Sequence, residues 1–360
     1  MQSYYKILLA LLIAMLVSAC SEPVPDVVIY QVKDSFNVGD NAFVRSLAVE
    51  PNKQSLWVGT SMGVHQVDYV SGDLKTTFTR EHGLANEYVF AITIDKDGYK
   101  WFGTNAGGMS RYKDGQWKTF FPLHGLADYW VYSFANHPDG NLWVGTWAGV
   151  NHVDLQTLEF KTYVKELINE WVYGIDIEEN GTVWFGTEGG VSRFDGKSWT
   201  SWDHSDGLGI ENENGLPFSK NTGLGTRSRH DLGILTGGKA TYNPSYVFAL
   251  KIDKRDNAVW AGTWGAGVGR FINGKWSNLS VKDGLAGNII YSIMQSADGA
   301  MWFGTNGGVS RFDGVNWQNF NQGNGLLNND VYSIAESPDG AVWLGTRSGV
   351  TKLTAMAIKS

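Results

Sequence analysis

The residues best suited to chemistry in this 360-residue chain are aromatic rather than titratable. Trp130, Trp147, Trp171 and Trp264 lie outside the places where tryptophan recurs regularly. Tyr88 and Tyr246 share the register of Trp130 and Trp171, each directly before a valine that opens a β-branched run. Flat, rigid faces of this kind hold sugars or other planar apolar surfaces, because they supply contact area at little cost in rotamer entropy. Glu188 and Arg347 occupy the place that Trp147 and Trp264 hold elsewhere, just after a repeated Gly-Thr, and could orient a polar ligand. Glu87, Glu170, Asp330 and Arg45 stand in or next to the same registers. Two arrangements fit the pattern: a platform open to solvent, or side chains packed on one another as a plug.

Groups for covalent or metal chemistry are scattered. The seven histidines show no metal-ligand spacing. His65 and His152 fall in short strand-like runs, and His82 and His124 each precede a Gly-Leu. Asp95-Lys96-Asp97-Gly98 has the flavour of a calcium loop, but equivalents recur along the chain and read as hairpin turns. Gly265 to Arg270, GAGVGR, has no helix after it to complete a phosphate site. No serine nucleophile with base and orienter can be assembled. The expectation is therefore no catalytic residue, no metal ligand and no cofactor: a binding protein rather than an enzyme. A net charge of −7 offers no basic field for nucleic acid.

The elements that must position these residues follow from one phrase. Trp-x-Gly-Thr begins at Trp57, Trp101, Trp143, Trp184, Trp260, Trp302 and Trp343, with spacings of 44, 42, 41, 76, 42 and 41. A period near 42 signals a repeat architecture, and the long gap marks an insertion within one repeat step. Residues 88–121 break into four β-rich runs, near 88–94, 99–104, 108–112 and 116–121, with Asp97-Gly98, Asn105-Ala106-Gly107 and Asp114-Gly115 between them. Asp-Gly and Asn-Gly suit two-residue hairpins because both central positions take positive φ. Four antiparallel strands per period make the blade of a β-propeller, so seven phrases predict an all-β, seven-bladed propeller over residues 27–360. Trp117, Trp199, Trp276 and Trp317 recur in the fourth strand and read as structural.

With strands lettered a to d outward from the channel, the d-to-a connections and b-to-c turns share one face. That places the singled-out residues around the upper mouth of the channel. The last repeat has strands near 331–336, 341–346 and 349–353 but no strand d, while Val27–Val32 is a spare strand. The two are expected to pair and close the ring, removing two exposed edges. The insertion, about 204–243, is polar and glycine-rich and joins blades 4 and 5 on the upper face, as a lid or a disordered segment. Arg227, Arg229 and His230 form its basic cluster.

Residues 1–19 read as a secretory signal, with Lys6 ahead of an apolar run from Ile7 to Val17 too short to span a membrane comfortably. Val17-Ser18-Ala19-Cys20 resembles the lipobox of bacterial lipoproteins, which implies cleavage before Cys20 and lipid on its sulfur. Residues 20–26 would then be a tether. Ser21, where an inner-membrane retention signal would have Asp, implies by the same resemblance the outer membrane of a bacterial envelope, facing the periplasm. Cys20 is the one cysteine, so no intramolecular disulfide forms.

Units such as SIAESPDGAVWLGTRSGVTKL, residues 333–353, resemble the two-component regulator propeller family over nearly all of 27–353 outside the insertion. The resemblance implies a sensory, ligand-binding propeller of the kind fused to bacterial signalling proteins. No kinase, membrane helix or DNA-binding part is read here, so the expected partner is a separate membrane signalling or envelope protein, and the expected ligand a small molecule or oligosaccharide. A protein-binding scaffold at the outer membrane and, further off, a propeller enzyme like the streptogramin lyases are the alternatives.

Overall fold

A computed structural model describes residues 28–39, 42–219 and 241–356. They form 28 strands in seven four-stranded antiparallel sheets, the blades of a β-propeller. In blade 2, strands a to d are Val89–Ile94, Lys100–Thr104, Met109–Lys113 and Gln116–Phe120, within one residue of the expected limits. Each strand a packs beside the strands a of the neighbouring blades around the channel, and strand d lies outermost. No helix among the described residues is long and apolar enough to cross a membrane.

The blades meet at the repeated phrase. All seven of its tryptophans are at most 3% exposed. The glycine two residues later faces the first residue of strand a in the next blade, or, between blades 4 and 5, Val247 within a longer strand a. A Cβ on Gly103 would lie 2.7 Å from Val131 Cγ1, on Gly262 2.7 Å from Ile290, and on Gly345 2.6 Å from Val44. Real Cβ contacts are not that short, so the close approach requires glycine. The apolar clusters accordingly lie between blades: Trp57 of blade 1 packs with Val89 and Phe102 of blade 2, and Trp343 of blade 7 with Val44 and Val58 of blade 1.

In six of the seven blades the indole N–H is met by a residue at or just past the end of strand a, in blade 5 by Asp253 at 3.4 Å. Trp57 donates to Glu50, Trp101 to Asp95, Trp184 to Glu178, Trp302 to Ser296 and Trp343 to Ser337, at 2.7–3.0 Å. Asp95, the first residue of the calcium-like stretch, also accepts the amides of Asp97 and Tyr99, so it caps its turn as expected. Blade 3 departs from the pattern. His137 stands in the acceptor's place and turns to Asp139, 2.8 Å away, leaving Trp143 Nε1 without a partner among the described residues.

The ring closes as expected but through a different span. The N-terminal strand is Tyr30–Phe36, and it pairs antiparallel with Gly349–Ala355, from Tyr30 opposite Ala355 to Phe36 opposite Val350. Its polar second half, Lys33 to Ser35, was not legible as strand because an outermost strand is half in water and needs no apolar alternation. Tyr30 is buried edge-on against Trp302 at 5.0 Å, and Phe36 tilts onto Trp343.

The indole contrast predicts that Trp101→Phe, which removes the side-chain donor to the buried Asp95 carboxylate and leaves it the two amides, costs about 1.5–3 kcal/mol more than Trp143→Phe. Urea denaturation of the two variants measures the difference, and equal losses would refute the assignment.

Candidate ligand site at the channel mouth

In six blades the residue before strand a and the residue after the repeated Gly-Thr are locked together by one backbone bond. The amide of Trp147 donates to the carbonyl of Trp130, that of Glu188 to Trp171, that of Arg347 to Asp330, and those of Ser61, Asn105 and Asn306 to Phe43, Tyr88 and Ile289. This pairing makes the mouth a ring of two-residue panels, one per blade. In blade 5 the insertion changes the register: strand a runs Asn243–Ile252, Trp264 pairs with Asn243, and the ladder is irregular between Asn243 and Val247.

The panels of blades 3 to 5 merge into one aromatic wall. Trp147 meets Trp130 and Trp171 edge to face at 4.9 and 5.0 Å. Tyr246 stacks on Trp264 at 5.8 Å, and Trp264 Nε1 donates to Thr241 Oγ1 at 2.7 Å. Trp147, Trp171 and Tyr246 are only 3%, 1% and 1% exposed, while Trp130 and Trp264 remain half-buried at the surface of the cluster. The sequence brought these five to one place, and the structure sets three of them behind the other two. Glu188, also buried, lies beside this wall in blade 4. Tyr88 joins through Phe90 at 4.8 Å.

Arg347 belongs to the opposite wall. It is exposed, with its guanidinium 5.1 Å over Phe43 and 3.9 Å from the Asp330 carboxylate. Burial pushes Asp330 above the usual carboxylate range, against the pull of Arg347, a hydrogen bond from Tyr291, and Arg45. Glu87 braces its own loop by accepting the amide of Arg80.

Below the mouth lies a feature the sequence reading missed. The residue after the Val or Ile that faces the preceding blade's glycine is Arg45, Phe90, Tyr132, Tyr173, Phe248, Tyr291 or Tyr332, and these seven side chains form a closed collar. Neighbouring rings stand 4.8 to 6.3 Å apart from Phe90 round to Tyr332, and Arg45 completes the circle, 4.4 Å over Tyr332 and 5.9 Å over Phe90. The collar encloses about 90 Å³. The available signal was the residue after that Val or Ile in each strand a, aromatic in six blades of seven.

Histidines at the described positions do structural work. His82 and His124 accept the amides of Thr79 and Phe121 with Nδ1, capping single 3-10 turns in d-to-a loops. Asp206, Asp283 and Asn324 hold the same place in other blades. Among the described residues no group of three His, Cys, Asp or Glu is arranged to hold a metal ion. Of the insertion, Phe218 bridges to Tyr242, whose hydroxyl donates to the Ile210 carbonyl at 2.6 Å. Arg227, Arg229, His230 and the lipobox Cys20 lie outside the described residues.

Comparison with known proteins agrees with this architecture. Residues 125–148, 284–307 and 325–348 match the family model described as two component regulator propeller. No curated protein matches the chain in sequence. Among solved structures, the extracellular domain of a B. thetaiotaomicron hybrid two component system superposes with a TM-score of 0.69 at 19% identity, over 90% of this chain and 40% of that one. Virginiamycin B lyase from Staphylococcus aureus gives 0.64 at 15% identity, over 91% and 100%. PorZ of Porphyromonas gingivalis, a surface component of the type-IX secretion system, gives 0.62 at 16%, over 89% and 47%. At these identities the likeness establishes the fold. The chain spans less than half the length of the sensor domain it resembles.

The two walls predict opposite responses to truncation. Trp147→Ala, opening a hole among three aromatic neighbours, is expected to lose about 3–5 kcal/mol of stability. Arg347→Ala, at an exposed site, is expected to lose less than about 1 kcal/mol. Thermal and urea unfolding check both, and a Trp147→Ala protein as stable as the parent would refute the buried wall.

Proposed function

We propose that this seven-bladed propeller, which carries two component regulator propeller repeats, is the ligand-binding sensory component of a bacterial envelope system and acts with a separate signalling protein. The observation that carries the reading is the division of the mouth into an aromatic wall on blades 3 to 5 and a charged wall on blades 7 and 1. A sugar suits such a mouth: its apolar C–H face lies on half-exposed rings such as Trp130 and Trp264, and its hydroxyls reach Arg347 and Asp330. Similar propellers in extracellular domains of two component systems support the sensory part of the reading. An oligosaccharide is the ligand class we favour.

A scaffold reading has one observation of its own. Leu123, Phe218 and Val281 are 86%, 58% and 47% exposed in d-to-a connections of the same face, where a protein partner would cover them. The two readings separate experimentally. Titrating neutral and acidic oligosaccharides into the purified protein, with tryptophan fluorescence and thermal midpoint followed together, is expected to give a saturable response. Trp264→Ala should weaken it about tenfold, the worth of one stacked aromatic. A silent panel would sink the oligosaccharide reading and favour the scaffold.

Anchoring is a separate part of the proposal, resting on the lipobox-like sequence ending at Cys20. Cys20→Ser should move the protein from the membrane fraction to the soluble periplasmic fraction. Retention in the membrane fraction would refute lipidation there.

A further inference from the structure

We propose that the lower rim of blades 6, 7 and 1 rests on the lipid bilayer that receives the Cys20 anchor, so that the channel mouth faces away from the membrane. The placement rests on lipidation of Cys20 and adds which surface of the propeller meets the bilayer. Two separate features carry it: where the N-terminal chain leaves the ring, and where the lower face is apolar.

The a-to-b and c-to-d turns make the lower face, and each strand c runs down to it from the mouth. In blade 7 strand c ends at Ala355, opposite Tyr30, and the amide of Met356 donates to the Ile29 carbonyl at 2.7 Å. The chain therefore enters its N-terminal strand from below, and Val28 already packs against the core between blades 6 and 7. Eight residues separate Cys20 from Val28, a reach of at most roughly 30 Å at full extension. Acyl chains on Cys20 would hold the lower edge of blade 7 within that distance of the bilayer.

Among the described residues, large apolar side chains are exposed on the lower face at four places. They are Val70 and Leu74 in blade 1, Val315 in blade 6 and Met356 in blade 7, at 61%, 60%, 83% and 38%. All four stand on the three consecutive blades centred on the exit of the chain. Both flanking hairpins are tied to blade 7. The Tyr30 amide donates to Gln318 Oε1, just past Val315, and Lys352 Nζ donates to the carbonyl of Tyr69, next to Val70, each at 3.1 Å.

Exposed apolar residues scattered singly are ordinary, but a cluster beside a lipid tether has a surface at hand to cover it. The boundary between headgroups and acyl chains takes up such side chains. Four of them are too few to hold a protein on a membrane, so the acyl chains anchor and the rim sets the orientation. Across the ring, the lower turns of blades 2 to 4 expose Asp97, Asp114, Glu159, Glu179 and Asp195 against Lys96 and Lys197. Anionic headgroups repel that side, so the ring meets the bilayer along one edge and tilts away at the other.

Site-directed fluorescence tests the placement. Cys20 is the one cysteine, and lipid on its sulfur leaves no other thiol to label. Val70→Cys, Val315→Cys and Met356→Cys on the rim, Asp114→Cys across the ring and Leu123→Cys on the upper face each receive a fluorophore in the full lipidated chain. Each protein is reconstituted in vesicles of phosphatidylethanolamine and phosphatidylglycerol that carry a nitroxide lipid. Quenching at the three rim sites is expected to exceed that at Asp114 and Leu123 several-fold. A label near a tether is also quenched by proximity alone, and a second variant separates the two. Val70→Asp combined with Val315→Asp, both at exposed sites, should cut quenching of the Met356 label several-fold while the protein stays with the vesicles. Equal quenching at Leu123 and the rim, or a Met356 label indifferent to the two aspartates, would overturn the placement and leave the anchor standing. A parent chain that fails to float with the vesicles would remove the anchor, and the rim contact with it. Flotation thus reads the lipid, and the pattern of quenching reads the face.

Discussion

The structure depends on one steric constraint, the contact between the glycine of each Trp-x-Gly-Thr phrase and one Val or Ile of strand a in the next blade. Without a Cβ, strand b of one blade can press against strand a of its neighbour, and the adjacent tryptophan then fills the interface. Repeating that contact seven times fixes the distance and tilt between blades, and so the radius of the channel. Burial of one large indole per interface supplies the apolar area that a lone four-stranded sheet could not obtain.

A fixed radius has consequences at the centre. With seven blades, one medium or large side chain per blade at a given level is enough to span the channel, so the residue after that Val or Ile meets its neighbours whether or not it was selected for a ligand. The backbone lattice is close to seven-fold, and distinction among the blades comes from side chains alone. Arg45 breaks the symmetry of the collar, and the panels of Trp130 with Trp147 and of Asp330 with Arg347 break that of the mouth. Function in such a molecule is written as departures from a repeat.

This explains what was legible in the sequence. Blade number, strand order, turn positions and closure by an N-terminal strand all follow from a repeated phrase with turn residues at fixed offsets, and the structure agrees with each. The common register of Trp130, Trp171, Tyr88 and Tyr246 was also readable. Their depth was not: whether a rim ring faces water or another ring depends on the channel radius, and no single repeat encodes it. Trp147 and Trp171 are buried for that reason. Tyr30–Phe36 was placed too early in the chain because half-wet outer strands tolerate Lys33 and Asp34. The collar escaped notice because its residues sit two positions past the ones that looked irregular, such as Tyr132 after Trp130 and Tyr173 after Trp171.

The strand Tyr30–Phe36 carries a consequence of its own. Its partner, Gly349–Ala355, follows it only after all six other blades. Six blades can be assembled from neighbouring sequence, but the seventh requires that the other six be present before its outer edge is covered. Until then the molecule is an open arc with two unpaired strands, held apart by the entropy of a very long loop. Completion is therefore an all-or-nothing event that waits on the last strand of the ring. A chain cut short anywhere before its final strand forfeits closure of the ring along with its last blade.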